Sequence, residues 1–154
     1  MIYAVIRVRG SVNVKSDIKD TLKMLRLNSI NHCVLLPKTE SYFGMLQKVK
    51  DYVTWGEIAP QTLAKMIIHR GRLIGDKKIS DKYIKANTKY KSIMSLAKAI
   101  LEGETKYQDL KDIKPVIRLH PPRRGYKGVK KSYELGGALG YRGEEINKLI
   151  EKMI

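Results

Sequence analysis

Val34-Leu35-Leu36-Pro37 is a run of three large apolar residues closed by a proline. It is too short for a helix and apolar on both alternating faces, so it reads as a strand buried on both sides. The patterns on either side of it are helical. Upstream, Ser16-Asp17 opens a segment in which Ile18, Leu22 and Leu25 recur at i, i+4 and i+7, while Lys19, Lys23 and Arg26 point elsewhere. Downstream, Thr39 is placed to cap a helix whose apolar face is Tyr42, Phe43, Leu46 and Val49. Further out lie two more runs of apolar and β-branched residues, 2–8 and Tyr52-Val53-Thr54-Trp55. Residues 1–57 therefore read as one β-α-β-α-β core domain.

Residues 58–154 read as a helical extension packed on that core. Pro60 suits a first helical position, and Leu63, Met66 and Ile67 form a face that ends at Gly71. Ser80 and Ser92 are placed to cap two more helices, the second carrying Ile93, Leu96, Ala97 and Ile100 and stopping at Gly103. Val116-Ile117-Arg118-Leu119 reads as a late strand. Residues 120–143 hold Pro121, Pro122 and six glycines and read as a long loop, a length usually reserved for function or disorder. A last helix follows Gly143, with Glu144 and Glu145 in its first turn, Lys148 and Lys152 later, and Ile146, Leu149, Ile150 and Met153 as its docking face.

The charge is lopsided. The 154 residues carry 31 Lys and Arg against 15 Asp and Glu, a formal +16. Like charges oppose compaction, so this excess points to an anionic partner, and a phosphate backbone rewards basic surfaces by releasing counterions. The opening segment is too short for a signal sequence, and no apolar stretch approaches the roughly 20 residues needed to span a bilayer. Cys33 is the only cysteine, so no disulfide or thiolate cluster is expected and a reducing cytoplasm is the expected setting.

The densest cationic run is 113–133, where Lys114, Arg118, Arg123, Arg124, Lys127, Lys130 and Lys131 occur without one acid. Its centre is His120-Pro121-Pro122-Arg123-Arg124-Gly125-Tyr126-Lys127-Gly128. Prolines hold such a loop extended, arginines chelate phosphates, and Tyr126 offers a face for an unpaired base. A second element is Arg7-Val8-Arg9. If Ile6 and Val8 face the helices, Arg7 and Arg9 lie on an open side of the sheet. Arg70 and Arg72 at a helix end, Lys23 and Arg26 beside the first helix, and Arg142 before the last complete the expected RNA-facing set.

Catalytic signals are weak. His32, His69 and His120 show no metal-ligand spacing, and no nucleophile elbow or phosphate loop occurs. No catalytic residue, metal, cofactor, small-molecule substrate or membrane partner is expected. Gly125-Tyr126-Lys127-Gly128 matches the short Gly-x-x-Gly loop of KH domains in two letters only. The Val8-Arg9-Gly10-Ser11-Val12 turn is similar to the phosphate cradle of acylphosphatases, but Asn13-Val14-Lys15-Ser16-Asp17 follows it where those enzymes continue with a Gln-Gly-Val stretch and a Phe-Arg pair.

Taken in order, these segments carry a specific resemblance. Val5-Ile6-Arg7-Val8-Arg9, Thr21-Leu22-Lys23-Met24-Leu25-Arg26-Leu27, Asn31-His32, Tyr52-Val53-Thr54-Trp55-Gly56, His69-Arg70-Gly71, Pro122-Arg123-Arg124-Gly125, Glu134-Leu135-Gly136-Gly137 and 142–150 span the chain. Together they resemble the archaeal form of large-subunit ribosomal protein thirty, whose eukaryotic relative is large-subunit ribosomal protein seven. The resemblance implies an α+β fold with a ferredoxin-like β-α-β-α-β core and an antiparallel sheet. It implies a structural constituent of the large subunit that binds its ribosomal RNA, with 5S RNA and neighbouring ribosomal proteins as further partners. An assembly factor of the same family is the alternative it leaves, and an acylphosphatase-like enzyme is a more distant one.

Overall fold

The computed structural model describes residues 2–154. The first half holds strands β1 (Ile2–Arg7), β2 (His32–Pro37) and β3 (Val53–Glu57), separated by helices α1 (Ser16–Met24) and α2 (Glu40–Lys48). The second half adds helices α3 (Pro60–Arg70), α4 (Asp81–Asn87), α5 (Ile93–Glu102) and α6 (Ile146–Met153), and two-residue strands β4 (Ile117–Arg118) and β5 (Gly140–Tyr141). All five strands form one sheet in the order β4-β2-β1-β3-β5.

The period of two along β1 divides the molecule into two cores. Tyr3 and Val5 face one way, against Leu22, Leu25, Leu46, Val49 and Trp55. Ala4 and Ile6 face the other way, into a larger core with Leu63, Met66 and Ile67 of α3, Leu96 and Ile100 of α5, and Ile146, Ile150 and Met153 of α6. At roughly 25 cal/mol per Å² of apolar surface, burial on both sides is the dominant stabilising term for such a sheet. Neither side of it is left open, which overturns the expectation that Arg7 and Arg9 stand on an exposed sheet face.

The helix boundaries follow their local chemistry. The hydroxyls of Thr39, Ser80 and Ser92 accept hydrogen bonds from the amides of Tyr42, Tyr83 and Ser95, capping α2, α4 and α5. Gly103 closes α5 with φ +81°, the left-handed conformation glycine enters without penalty. Phe43 departs from its expected face: it is 52% exposed, because Leu46 and Val49 already fill the core above β3.

The expected antiparallel sheet of the β-α-β-α-β core is present, β1 pairing antiparallel with both β2 and β3; β5, outside that core, adds a parallel edge to β3. Two residues make a weak ladder, reinforced by one side-chain and one main-chain bond: Thr54 Oγ1 donates to Gly140 O (2.8 Å), and the Arg142 main-chain amide donates to Trp55 O (2.9 Å). The 120–143 segment is the expected long loop, broken only by a 3-10 turn at Tyr133–Leu135 and by β5, and main-chain bonds fasten it. The His120 and Arg123 amides donate to Met153 O and Lys152 O, satisfying carbonyls at the end of α6. Downstream, Ala138 N donates to Gly128 O, Leu139 N to Lys131 O and Tyr133 N to Leu139 O, closing the segment on itself.

Gly56 marks the tightest junction between the halves. A Cβ built there would lie 1.9 Å from Gly143 O and 3.0 Å from Ile146 Cβ. Gly56→Ala should therefore push the start of α6 off β3 and destabilise the protein by about 2–3 kcal/mol or more, the scale of core overpacking. Urea unfolding followed by circular dichroism checks this, with Gly44→Ala, where a Cβ meets nothing within 4 Å, as the tolerated control.

Candidate nucleic-acid interface

The strand registers bring the basic residues to one end of the sheet. Arg7 pairs with Val53, His32 with Arg118, and Thr54 with Gly140. The end of α3 (Arg70) and the end of α6 (Met153) are tied to the same region, the latter through His120 and Tyr126.

Some of the expected contacts turn out to be the internal fastenings of this end. Arg7 is only 3% exposed. Its guanidinium donates to Leu27 O (2.7 Å), Arg9 O (2.8 Å) and Ser11 Oγ (2.9 Å), tying the turn after β1 to the end of α1. Burial lowers its pKa from the ordinary arginine value. Tyr126, expected to face a base, is half-buried instead: its hydroxyl donates to Asn31 Oδ1 at 2.6 Å and its ring packs against Val8, Ala138 and Leu139. Asn31 is a junction in its own right. Its amide donates to Arg7 O, its carbonyl accepts from Leu119 N, and it sits at φ +67°, which asparagine tolerates better than most residues. Arg142 is likewise drawn inward, donating to Thr54 Oγ1 and Ala138 O (2.8 Å each), with its Cζ 5.1 Å from the centre of the Tyr133 ring. Desolvation by burial lowers its pKa too. The polar groups of these three residues all have protein partners, and Tyr126 and Arg142 also line the cleft beside α6.

The turn at 8–12 does not form a phosphate cradle. The Val8 and Arg9 amides both donate to Tyr52 O, and Ser11 is engaged by Arg7. Arg9 lies against the Tyr52 ring, 5.2 Å from its centre. The Gly125–Gly128 stretch is not flanked by the helix pair that a KH loop requires, since β4 precedes it and a 3-10 turn follows.

The remaining cations outline two clefts. One is formed by Arg70, Arg72, Lys114 and Arg118 with Asp76, whose carboxyl is held below the usual carboxylate range by its hydrogen bond and charge pairing with Lys114. It is continued by a concavity lined by Lys65, His69, Arg70, Arg72 and Arg123. Arg123 also lines the other cleft, of about 770 Å³, with Arg124, Lys127, Lys148 and Lys152. The cationic rim thus runs from β4, past the end of α3, to the 123–127 segment and α6. Lys23, Arg26, His120, Lys130 and Lys131 are exposed at this end or beside it but line none of these concavities.

Lys65, His69, Lys148 and Lys152, outside the expected set, also line these clefts. The last two were legible only as partners of the helix dipole, though their i, i+4 spacing puts them on one face of α6. His32, paired with Arg118 on the neighbouring strand, also lies outside that set. Burial, then Arg118 and Arg7, lower the His32 pKa. Among the described residues no three His, Cys, Asp or Glu side chains gather as a metal site, and no helix is long and apolar enough to cross a membrane.

Comparison with known proteins places this geometry in a family context. Residues 3–53 match the family described as ribosomal protein L30p/L7e. The large ribosomal subunit protein uL30 of Methanoculleus marisnigri is 54% identical over 151 residues, covering 98% of this chain and 99% of that protein. Those of Methanoregula boonei and Methanosphaera stadtmanae are 55% and 53% identical over 152 residues each, with 98% or more of both sequences covered.

Two outcomes follow from the fastenings. Arg7→Met should cost about 2–3 kcal/mol, because it removes charge-assisted bonds and leaves Leu27 O and Arg9 O unpaired; chemical denaturation checks this, with Arg9→Met costing less. For His32, a depressed folded pKa means the unfolded chain binds the proton more readily. The stability it contributes is fully present above its unfolded pKa of about 6.5 and is lost as pH falls through the lower folded value. The melting temperature should therefore fall between pH 7.5 and 5, and His32→Gln should flatten part of that dependence.

Proposed function

The chain belongs to the ribosomal protein L30p/L7e family and is a structural constituent of the large ribosomal subunit; we propose that it grips the subunit's ribosomal RNA across the cationic end of its sheet. The observation that carries this reading is the continuity of the rim. Arg118, Lys114, Arg72 and Arg70 lead to Arg123, and Arg123 leads to Arg124, Lys127, Lys148 and Lys152. Phosphates crossing it would release condensed counterions, and the guanidinium groups can hold phosphate oxygens in bidentate fashion.

The contacts are of two kinds. Arg70, Arg72 and Arg118 rise from the ends of regular elements and offer a rigid footing. Arg123, Arg124 and Lys127 project from a segment held by Tyr126, Pro122 and the end of α6. Such a surface reads the shape of folded RNA more than its sequence. The reading assigns the chain no reaction. The small 5S RNA is a further candidate for the same surface, to be tested beside the large-subunit RNA.

Replacing Arg123 and Arg124 together with Ala should weaken binding to large-subunit RNA in a filter-binding titration. The slope of log K against log salt should shallow by about 0.7–0.9 for each phosphate that is no longer neutralised. The melting temperature should hold, since both side chains are exposed and the Arg123 bond to Lys152 O is made by its backbone. Unchanged affinity and slope would remove these residues from the interface. The same titration with 5S RNA tests that partner.

A further inference from the structure

The cleft between the 123–127 segment and α6 has features that phosphate contact alone does not require. Its volume of about 770 Å³ lies within the range of small-molecule sites, roughly 300–1,000 Å³. One wall is the ring of Tyr133, 38% exposed, which opens a 3-10 turn at Tyr133–Leu135. The ring is held from one side by the Arg142 guanidinium, itself fixed by Thr54 and Ala138. Gly136, Gly137 and Ala138 also line the cleft. Gly137 lies directly against the Lys131 main chain, where a Cβ would meet Lys131 O at 2.1 Å, so this close approach holds the 131–137 turn in shape. Arg124, Lys127 and Lys152 are among the lining cations.

We propose that this cleft receives a single unpaired nucleotide of the large-subunit RNA, with its base stacked on Tyr133 and its phosphate among Arg124, Lys127 and Lys152. The proposal rests on the RNA-binding reading above and adds which feature of the RNA enters. A paired A-form helix keeps its bases stacked inside and presents phosphates and 2′-hydroxyls, so it cannot lay a base on a ring set in a concavity. An extruded base can, and stacking on an immobilised aromatic ring tolerates any base identity. Two carboxylates also line the cleft. Glu145 is already paired with Lys148 at 3.1 Å, and Glu134 leaves the balance strongly positive. Tyr126 lines the same cleft, but its ring is half-buried against Val8, Ala138 and Leu139, so the exposed Tyr133 ring is the platform proposed.

The test assembles the full-length chain on protein-free large-subunit RNA and probes base reactivity chemically at each nucleotide. With the unmodified chain, at least one unpaired nucleotide should be shielded. Tyr133→Phe should preserve that shielding, whereas Tyr133→Ala should restore its reactivity and weaken binding about tenfold. Arg118→Ala should weaken binding without unshielding that nucleotide. Tyr133→Leu, which keeps apolar bulk but no aromatic face, should behave like Tyr133→Ala and serves if the alanine variant melts early. Equal shielding by Tyr133→Leu or Tyr133→Ala and the unmodified chain would overturn the proposal while leaving RNA binding intact. Shielding confined to paired regions would do the same. Failure of the unmodified chain to bind this RNA specifically would overturn both readings.

Discussion

Strand β1 is buried on both sides, and that constraint decides where this protein can meet another molecule. Tyr3 and Val5 belong to one core, Ala4 and Ile6 to the other, and helices close over each. A small sheet that binds RNA on its face needs one side free of helices. Here both sides are needed for stability, so the sheet serves as a frame. What it frames is its own end, where the chain reverses after β1, enters β2 and β3, and is joined by β4 and β5. Under the proposed reading, contacts with RNA fall on the helix ends and loops that surround this end rather than on strand faces.

That end holds an unusual density of cations, and their division of labour has a physical basis. Arg7 and Arg142 sit inside, where burial penalises their charge. Each is stabilised by main-chain or hydroxyl oxygens with directed geometry, which a planar guanidinium exploits better than an ammonium. They shape the loops but have few donors left for a phosphate. Arg70, Arg72, Arg118, Arg123 and Arg124 line the neighbouring clefts instead, and under the proposed reading an RNA backbone would neutralise the like charges gathered there. The tether of Tyr126 to Asn31 matters because it brings the 123–127 cations onto the frame rather than leaving them on a free loop.

The fold was largely legible in the sequence because its elements announce themselves locally. Thr39, Ser80, Ser92 and Gly103 are capping residues at the places where helices begin and end, and the apolar faces of α3, α5 and α6 repeat with helical period. Strand β5 is not legible in the sequence: Gly140-Tyr141 has no alternation to read, and its pairing with β3 is reinforced by Thr54 Oγ1 and the Arg142 main-chain amide, neither of which local sequence reveals. The charge density of 113–133 was plain, but the direction of each side chain was not. Arg7 and Arg142 resemble any other surface arginine in sequence, and only the three-dimensional supply of carbonyl oxygens turns them inward. Tyr126 and Tyr133 stand in the same glycine-rich stretch, and nothing local reveals that Asn31, distant in sequence, claims the first.

The most direct measurement is RNA–protein crosslinking in intact large subunits, with the crosslinked peptides identified by mass spectrometry. If RNA crosses the end of the sheet, crosslinks should concentrate on the peptides containing Arg70, Arg72, Arg118 and 123–133, and the outward surface of α1 and α2 should carry few. Crosslinks gathered on the outer surfaces of α1 and α2, with none at the Arg70–Arg72 or Arg123–Arg124 peptides, would contradict it.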